Sequence, residues 1–133
     1  MLRYMLDTNL CIRVLRDRPA GLRERFNLEA AALCISSVTM AELMYGAEKS
    51  DRPAEKRQQV EAFAARLEIL TFDADAAAHY GEIRASLERQ GQVIGPYDLM
   101  IAGHARSRGL VVITGNLKEF SRVAGLRSED WLA

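Results

Sequence analysis

Three acidic residues stand where the surrounding sequence otherwise reads as core: Asp7 in RYMLDTN, Glu42 in SSVTMAELMYG and Asp98 in VIGPYDLMIAGHARSRGLVVITGN. Brought together, they would form an all-oxygen site for a hard ion. Mg2+ or Mn2+ takes one or two carboxylates and fills its remaining positions with water and substrate phosphate oxygens. Each acid also has a plainer use. Asp7 can cap a helix, Asp98 can complement the dipole of a first helical turn, and Glu42 can be half of a surface pair. Glu42 is the hardest to reduce to that role, because Val38, Ala41 and Tyr45 share its side of a helix. A carboxylate among apolar neighbours needs a partner or a metal to offset desolvation.

Other chemistries fit less well. His79 and His104 are the only histidines. On a helix His104 points about 120° away from Asp98, while Ile101, Ala102 and Ala105 share the Asp98 side, so His104 reads as structural or exposed. Cys11 and Cys34 lack zinc-ligand spacing and read as buried free thiols, not a disulfide. Lys plus Arg equals Asp plus Glu at 18 each. A neutral chain has no bulk attraction for a polyanion, so recognition of a nucleic acid must be local. The cations are mostly arginines, among them Arg13, Arg16, Arg18, Arg84, Arg89, Arg106 and Arg108, whose guanidinium groups suit bidentate phosphate contacts.

The elements that must position these residues follow from periodicity. Arg3 to Leu6 predicts a short strand, and Asp7 or Thr8 caps a helix carrying Leu10, Ile12, Val14 and Leu15. Pro19 breaks that helix, and AGLRERFNLEA starts another with Leu22, Phe26 and Leu28 or Ala30 on one face. LCIS predicts a second strand, with Ser36 or Ser37 capping a helix through Glu48. Ser50 or Asp51 caps the next helix, which has Pro53 in its first turn and Val60, Phe63, Ala64 and Leu67 on one face. EILTF is a third strand, DADAAAHYGEIRASLERQG a helix ended by Gly91, Tyr97 to Ser107 a helix stopped by Gly109, and LVVIT a fourth strand. Helices between strands predict an α/β protein with a parallel sheet covered on both faces.

Composition and length point to a single domain spanning residues 1–133, with 49% hydrophobic residues to build a core. No apolar run approaches the roughly 20 residues of a membrane span, and no signal peptide is evident, so a soluble cytoplasmic protein without membrane contact is expected. In open parallel sheets, ligands bind beyond the carboxyl ends of the strands, where strand order reverses. Asp7, Glu42 and Asn116 all follow strands. Asp98 opens a helix that leads into a strand, and spacing alone does not bring it to the others.

Taken in order, MLDTN, ISSVTMAELMYG, GPYDLMIAGHARSRGLVVITGNLKEF and LRSEDW resemble the PIN-domain ribonucleases, specifically the VapC-type toxins of toxin–antitoxin pairs. The resemblance runs nearly end to end. It implies a PIN-like α/β/α sandwich around a mainly parallel sheet, with the acids gathered in one pocket. It also implies a Mg2+-dependent endoribonuclease in which Mn2+ can substitute. Asp7 and Asp98 become the principal metal ligands, Glu42 a third acid that positions or deprotonates water, and Asn116 and Glu119 further members of the set, directly or through water. Asn116 stands where many relatives have aspartate. Thr8 and Thr114 would hydrogen-bond within the pocket. The implied partners are a VapB-type antitoxin, a second copy in a homodimer, a higher toxin–antitoxin assembly, and RNA. The stretches FNLE, CISSVTMAEL and AGHARSRGL resemble the branch that cuts initiator tRNA in the anticodon stem-loop.

Other classes remain in competition. A two-component receiver or HAD-type phosphotransferase also puts an aspartate after the first strand, but LDTN lacks the second acid of a DxD motif and no lysine ends the last strand. A structure-specific DNA nuclease shares the chemistry, but such enzymes usually carry helical arches for which this chain is short. A PIN-shaped binding module with weakened catalysis would lack an acid; here only position 116 departs.

Overall fold

In the computed structural model, which describes residues 1–132, strands and helices alternate along the chain. They are β1 (Tyr4–Leu6), α1 (Thr8–Arg16), α2 (Leu22–Glu29), β2 (Leu33–Ser36), α3 (Ser37–Glu48), α4 (Pro53–Ala64) and β3 (Glu68–Leu70), followed by α5 (Ala74–Arg89), α6 (Pro96–Ser107), β4 (Val111–Ile113), α7 (Leu117–Phe120) and β5 (Ser128–Glu129). A single 3-10 turn, Ala30–Ala32, joins α2 to β2. The five strands pair in parallel in the order β3-β2-β1-β4-β5. The predicted α/β/α sandwich is therefore the observed one.

Because side chains alternate across a strand, each central strand feeds two cores. Tyr4, Leu6, Leu33, Ile35, Val111 and Ile113 pack on one face with Leu10, Val14, Phe26, Leu43 and Phe63 of α1 to α4. Met5, Cys34 and Val112 pack on the other with Ile83, Leu87, Leu99, Ile101 and Phe120. Both cysteines are free and buried, and burial raises both thiol pKa values, that of Cys34 to about 12. They are inert core residues.

Several boundaries depart from the sequence reading. α4 begins at Pro53 after Arg52, with no side-chain cap. Neither Ser50 nor Asp51 serves: the Ser50 hydroxyl donates to the Ala47 carbonyl (2.7 Å), closing α3 instead. α1 stops before Pro19 is reached, because Asp17 turns left-handed (φ 50°) and returns its backbone N–H to the helix. Leu28 is 80% exposed, so α2 buries only Leu22 and Phe26. α7 and β5 were not anticipated. β5 is two residues long and held by backbone pairing to β4, which leaves no periodicity to read.

α5 and α6 approach closely at Gly103. A Cβ there would lie 2.7 Å from the Tyr80 backbone nitrogen and 2.8 Å from its Cα. Backbone cannot move aside as a side chain can. Gly103→Ala should therefore destabilise the fold by about 1–3 kcal/mol, the usual cost of overpacking, despite the better helix propensity of alanine. Urea unfolding of the variant checks this; unchanged stability would mean that the two helices slide freely.

Candidate active site

The strand order reverses between β1 and β4, so the crevice for a ligand opens at their carboxyl ends. Asp7 follows β1 directly and is only 2% exposed. It is the N-cap of α1: Oδ1 accepts from the Leu10 amide at 2.8 Å, and Oδ2 accepts from the Thr114 hydroxyl at 2.5 Å. Thr114, fully buried just past β4, also accepts from the Asn116 amide at 2.8 Å. The capping reading of Asp7 is thus correct, yet it uses only one lone pair on each oxygen and leaves each a second one to accept with.

Glu42 reaches the same place from α3. Thr8 Oγ1 donates to Glu42 Oε1 at 2.5 Å and lies 3.3 Å from the fully buried Thr39 hydroxyl. Its setting is not the apolar interior that the helix face suggested. Ala41 is exposed, Glu42 half-buried, and Tyr45 66% exposed, so this face of α3 is the wall of an open cleft.

Asp98 comes from the first turn of α6. α6 descends into β4, so its amino end must stand at the carboxyl edge of the sheet. Glu119 meets it there: Oε1 accepts from the Gly95 amide at 3.1 Å, and Oε2 accepts from the Asn116 side-chain amide. Burial, a hydrogen bond to Glu119 and the charges of Glu119, Asp7 and Glu42 raise the Asp98 pKa to about 7. Asp7 is also raised, chiefly by burial and secondarily by Glu42, against its hydrogen bonds to Thr114 and Leu10 and the nearby Arg13. Asn116 departs from the expected acid but completes the pocket by donating to one.

All seven residues singled out from the sequence, Asp7, Thr8, Glu42, Asp98, Thr114, Asn116 and Glu119, lie in or beside this crevice. Four carboxylates crowd it, and Arg13 is the cation that offsets Asp7. Among the described residues no three acid, histidine or cysteine side chains already form a closed ligand cage. The donor set nonetheless fits a hard divalent ion: it is all oxygen and anionic, and burial together with the neighbouring carboxylates raises the pKa of Asp7 and Asp98. Thr39 was missed, although at i−3 from Glu42 it was a readable signal; Arg13 was named only among the arginines suited to phosphate, not as the neighbour of Asp7. His104 plays no part in the pocket. It is fully buried, its Nδ1 lies 2.8 Å from Ser36 Oγ, and its ring packs edge-on to Phe72. Ser36 in turn caps α3, so His104 is structural.

Comparison with known proteins agrees with this geometry. The PIN domain family matches residues 4–126. A protein from Shigella flexneri described as tRNA(fMet)-specific endonuclease VapC is 57% identical over 131 residues, covering 98% of this chain and 99% of that protein. The chain belongs to the PIN-domain family, in its VapC branch. Ribonuclease VapC2 of Haemophilus influenzae is 50% identical over 99% of the chain and the whole of that protein. Among solved structures, a chain of DNA-bound VapBC from Salmonella typhimurium superposes with a TM-score of 0.94 at 57% identity, covering 98% of this chain and 99% of that one. The VapC family resemblance drawn from MLDTN, TMAEL and the TGN segment is thereby shown.

Proposed function

We propose that this VapC-family chain is the toxin of a type II toxin–antitoxin pair, an endoribonuclease that depends on Mg2+, or Mn2+ in its place, to hydrolyse RNA phosphodiester bonds. The observation that carries this reading is convergence. Asp7, Glu42, Asp98 and Glu119 arrive from separate elements at one crevice, where a divalent cation would relieve their mutual repulsion. Asp7 and Asp98 would hold the ion, with Asn116 or Glu119 contributing directly or through water. When bound, the ion supplies Lewis acidity to a water and to the scissile phosphate, and offsets charge that builds in the transition state. Glu42, with Oε1 held by Thr8, keeps Oε2 for the attacking water, which it orients and deprotonates.

The relatives named for tRNA(fMet) support a tRNA substrate, cut in the anticodon stem-loop of the initiator. The same relationship supports a VapB-type antitoxin, a homodimer and a larger toxin–antitoxin assembly. It also supports a cytoplasmic location, in keeping with the two free thiols; no helix among the described residues is long and apolar enough to cross a membrane. We take residues 1–133 to act as one domain.

The test is cleavage of total cellular RNA by the antitoxin-free protein with Mg2+, beside an EDTA control and single-stranded DNA, with the cut ends mapped. A metal-dependent cut confined to one tRNA loop is expected. No RNA cleavage, despite Mg2+ or Mn2+ binding measured by calorimetry, would overturn the reading.

Thr114 offers a milder perturbation. Thr114→Val removes the donor to Asp7 Oδ2 and the acceptor for Asn116, so kcat/KM should fall about 10–100-fold, the usual loss for a group that orients a metal ligand. Thr114→Ser should keep most of the activity. Equal activity in Val and Ser variants would show that Asp7 needs no such support.

A further inference from the structure

The cleft beside the acids extends well beyond them. It encloses about 720 Å3 between α1, α3 and α4 and the start of α6, and Tyr45, Lys49, Lys56, Arg16 and Tyr97 line it together with Glu42 and Asp98. Much of its aliphatic lining is spent on the core: Leu43, Ala47 and Val60 are at most 6% exposed, and Ile12 and Leu15 are half-buried and packed against that core. The tyrosines are different. Of the nine aromatic side chains in the sequence, only Tyr45 and Tyr97 are exposed, at 66% and 54%. Both stand next to an acid of the candidate site: Tyr45 is one turn past Glu42, and Tyr97 adjoins Asp98. Neither ring belongs to either hydrophobic core.

The charges in the cleft are arranged to match. Two of the three lysines, Lys49 and Lys56, line it with Arg16, and none of these three forms an ion pair with an acid among the described residues. The Lys49 ammonium lies 4.9 Å from the centroid of the Tyr45 ring. The Tyr45 ring carries Lys49 over one face and is still 66% exposed. Cations without an acid partner beside exposed aromatic rings are what a single strand of nucleic acid recognises, with phosphates on the cations and base faces on the rings. An apolar peptide would instead call for exposed aliphatic side chains. The large aliphatic side chains that are exposed (Met1, Leu28, Ile69, Val93 and Leu117) do not line this cleft.

We propose that Tyr45 and Tyr97 are stacking platforms for unpaired bases on either side of the phosphate that is cut, and that Arg16, Lys49 and Lys56 hold the phosphates that continue along the cleft. This rests on the endoribonuclease reading and adds to it how the substrate is held: the pocket takes RNA whose bases are splayed out of a helix. Discrimination then comes from loop shape as well as from contacts at the acids.

The experiment uses the full chain and its Tyr45→Leu, Tyr97→Leu, Tyr45→Phe and Tyr97→Phe variants. Two readouts are taken on a short unpaired oligoribonucleotide carrying 2-aminopurine: steady-state cleavage in Mg2+, and fluorescence quenching with Ca2+ in place of Mg2+. Each leucine variant should raise KM about 5- to 100-fold, the range for losing one stacked base, with a smaller change in kcat and with quenching weakened. The phenylalanine variants, which keep the ring, should stay within about threefold of wild type. Unchanged KM and quenching in the leucine variants would overturn the proposal. So would a loss confined to inhibition by a co-expressed antitoxin, which would make the cleft a protein seat. If the wild type cuts no RNA, the nuclease reading fails by itself, while quenching that depends on the two rings still decides whether bases stack there.

Discussion

Asp7→Asn should abolish cleavage, lowering kcat/KM by about 10³-fold or more, while leaving the protein folded. The two halves of that expectation come from different atoms. Asparagine is as good an N-cap as aspartate, and its Oδ1 can still accept from the Leu10 amide. Its amide nitrogen would face Thr114, whose hydroxyl oxygen has a lone pair to receive it. What disappears is the negative charge at the floor of the crevice, in a site 2% exposed where nothing from solvent replaces it. A 10³-fold loss corresponds to about 4 kcal/mol of transition-state stabilisation. Because burial already raises the Asp7 pKa, neutralising the residue should leave thermal stability equal or slightly higher. Single-turnover cleavage and thermal unfolding, measured on the same preparation, separate the two effects. Residual activity within tenfold of wild type would remove Asp7 from the catalytic set.

The sequence made this residue legible because Asp7 needed only a strand boundary and a capping rule. Glu42 was legible as a candidate for a partly mistaken reason: Val38, Ala41 and Tyr45 looked like core, but the helix face they mark is a cleft wall, and period alone cannot distinguish a buried stripe from a lined groove. The paired cores were legible for the same reason as the strands, since Tyr4, Met5 and Leu6 alternate between two helical layers. Asp98 was the hard case. Its place follows once α6 is known to descend into β4, because a helix that ends at the amino edge of a parallel sheet begins at the opposite edge. The direction was implicit in the parallel topology, yet the distance to Asp7 depends on the irregular segment 92–95 that leads into α6, which no periodicity encodes. The link from Asn116 to Glu119 lay further out of reach, being a local side-chain contact in a four-residue helix. β5 was illegible on length alone.

Asp98→Asn should separate catalysis from stability more sharply than any other change. Activity should fall on the order of 10³-fold, because a second principal ligand is lost. Stability should move the other way in the absence of metal. The carboxyl of Asp98 has a reference pKa of 3.8 and sits near 7 in the folded protein, so the native state holds this proton more tightly than the unfolded chain does. Its contribution to stability is therefore greatest at low pH and declines as pH rises from about 4 through 7, then levels off. Metal-free wild type should lose stability across that window relative to the Asn variant, and the gap should be widest near pH 8. The group is half-buried and partly screened, so a difference on the order of 1 kcal/mol is expected, which is about 3–5 °C for a chain of this size. Adding Mg2+ at pH 8 should recover that loss in the wild type by binding the folded state alone, and should do little for the variant. Single-turnover cleavage checks the activity loss, and thermal scans of both proteins from pH 5 to 8, with and without Mg2+, check the pH dependence and its recovery by the ion. Parallel pH profiles for the two proteins would mean that the crowding of Asp98 by Glu119, Asp7 and Glu42 costs the fold nothing. The crevice would then have no electrostatic reason to recruit an ion.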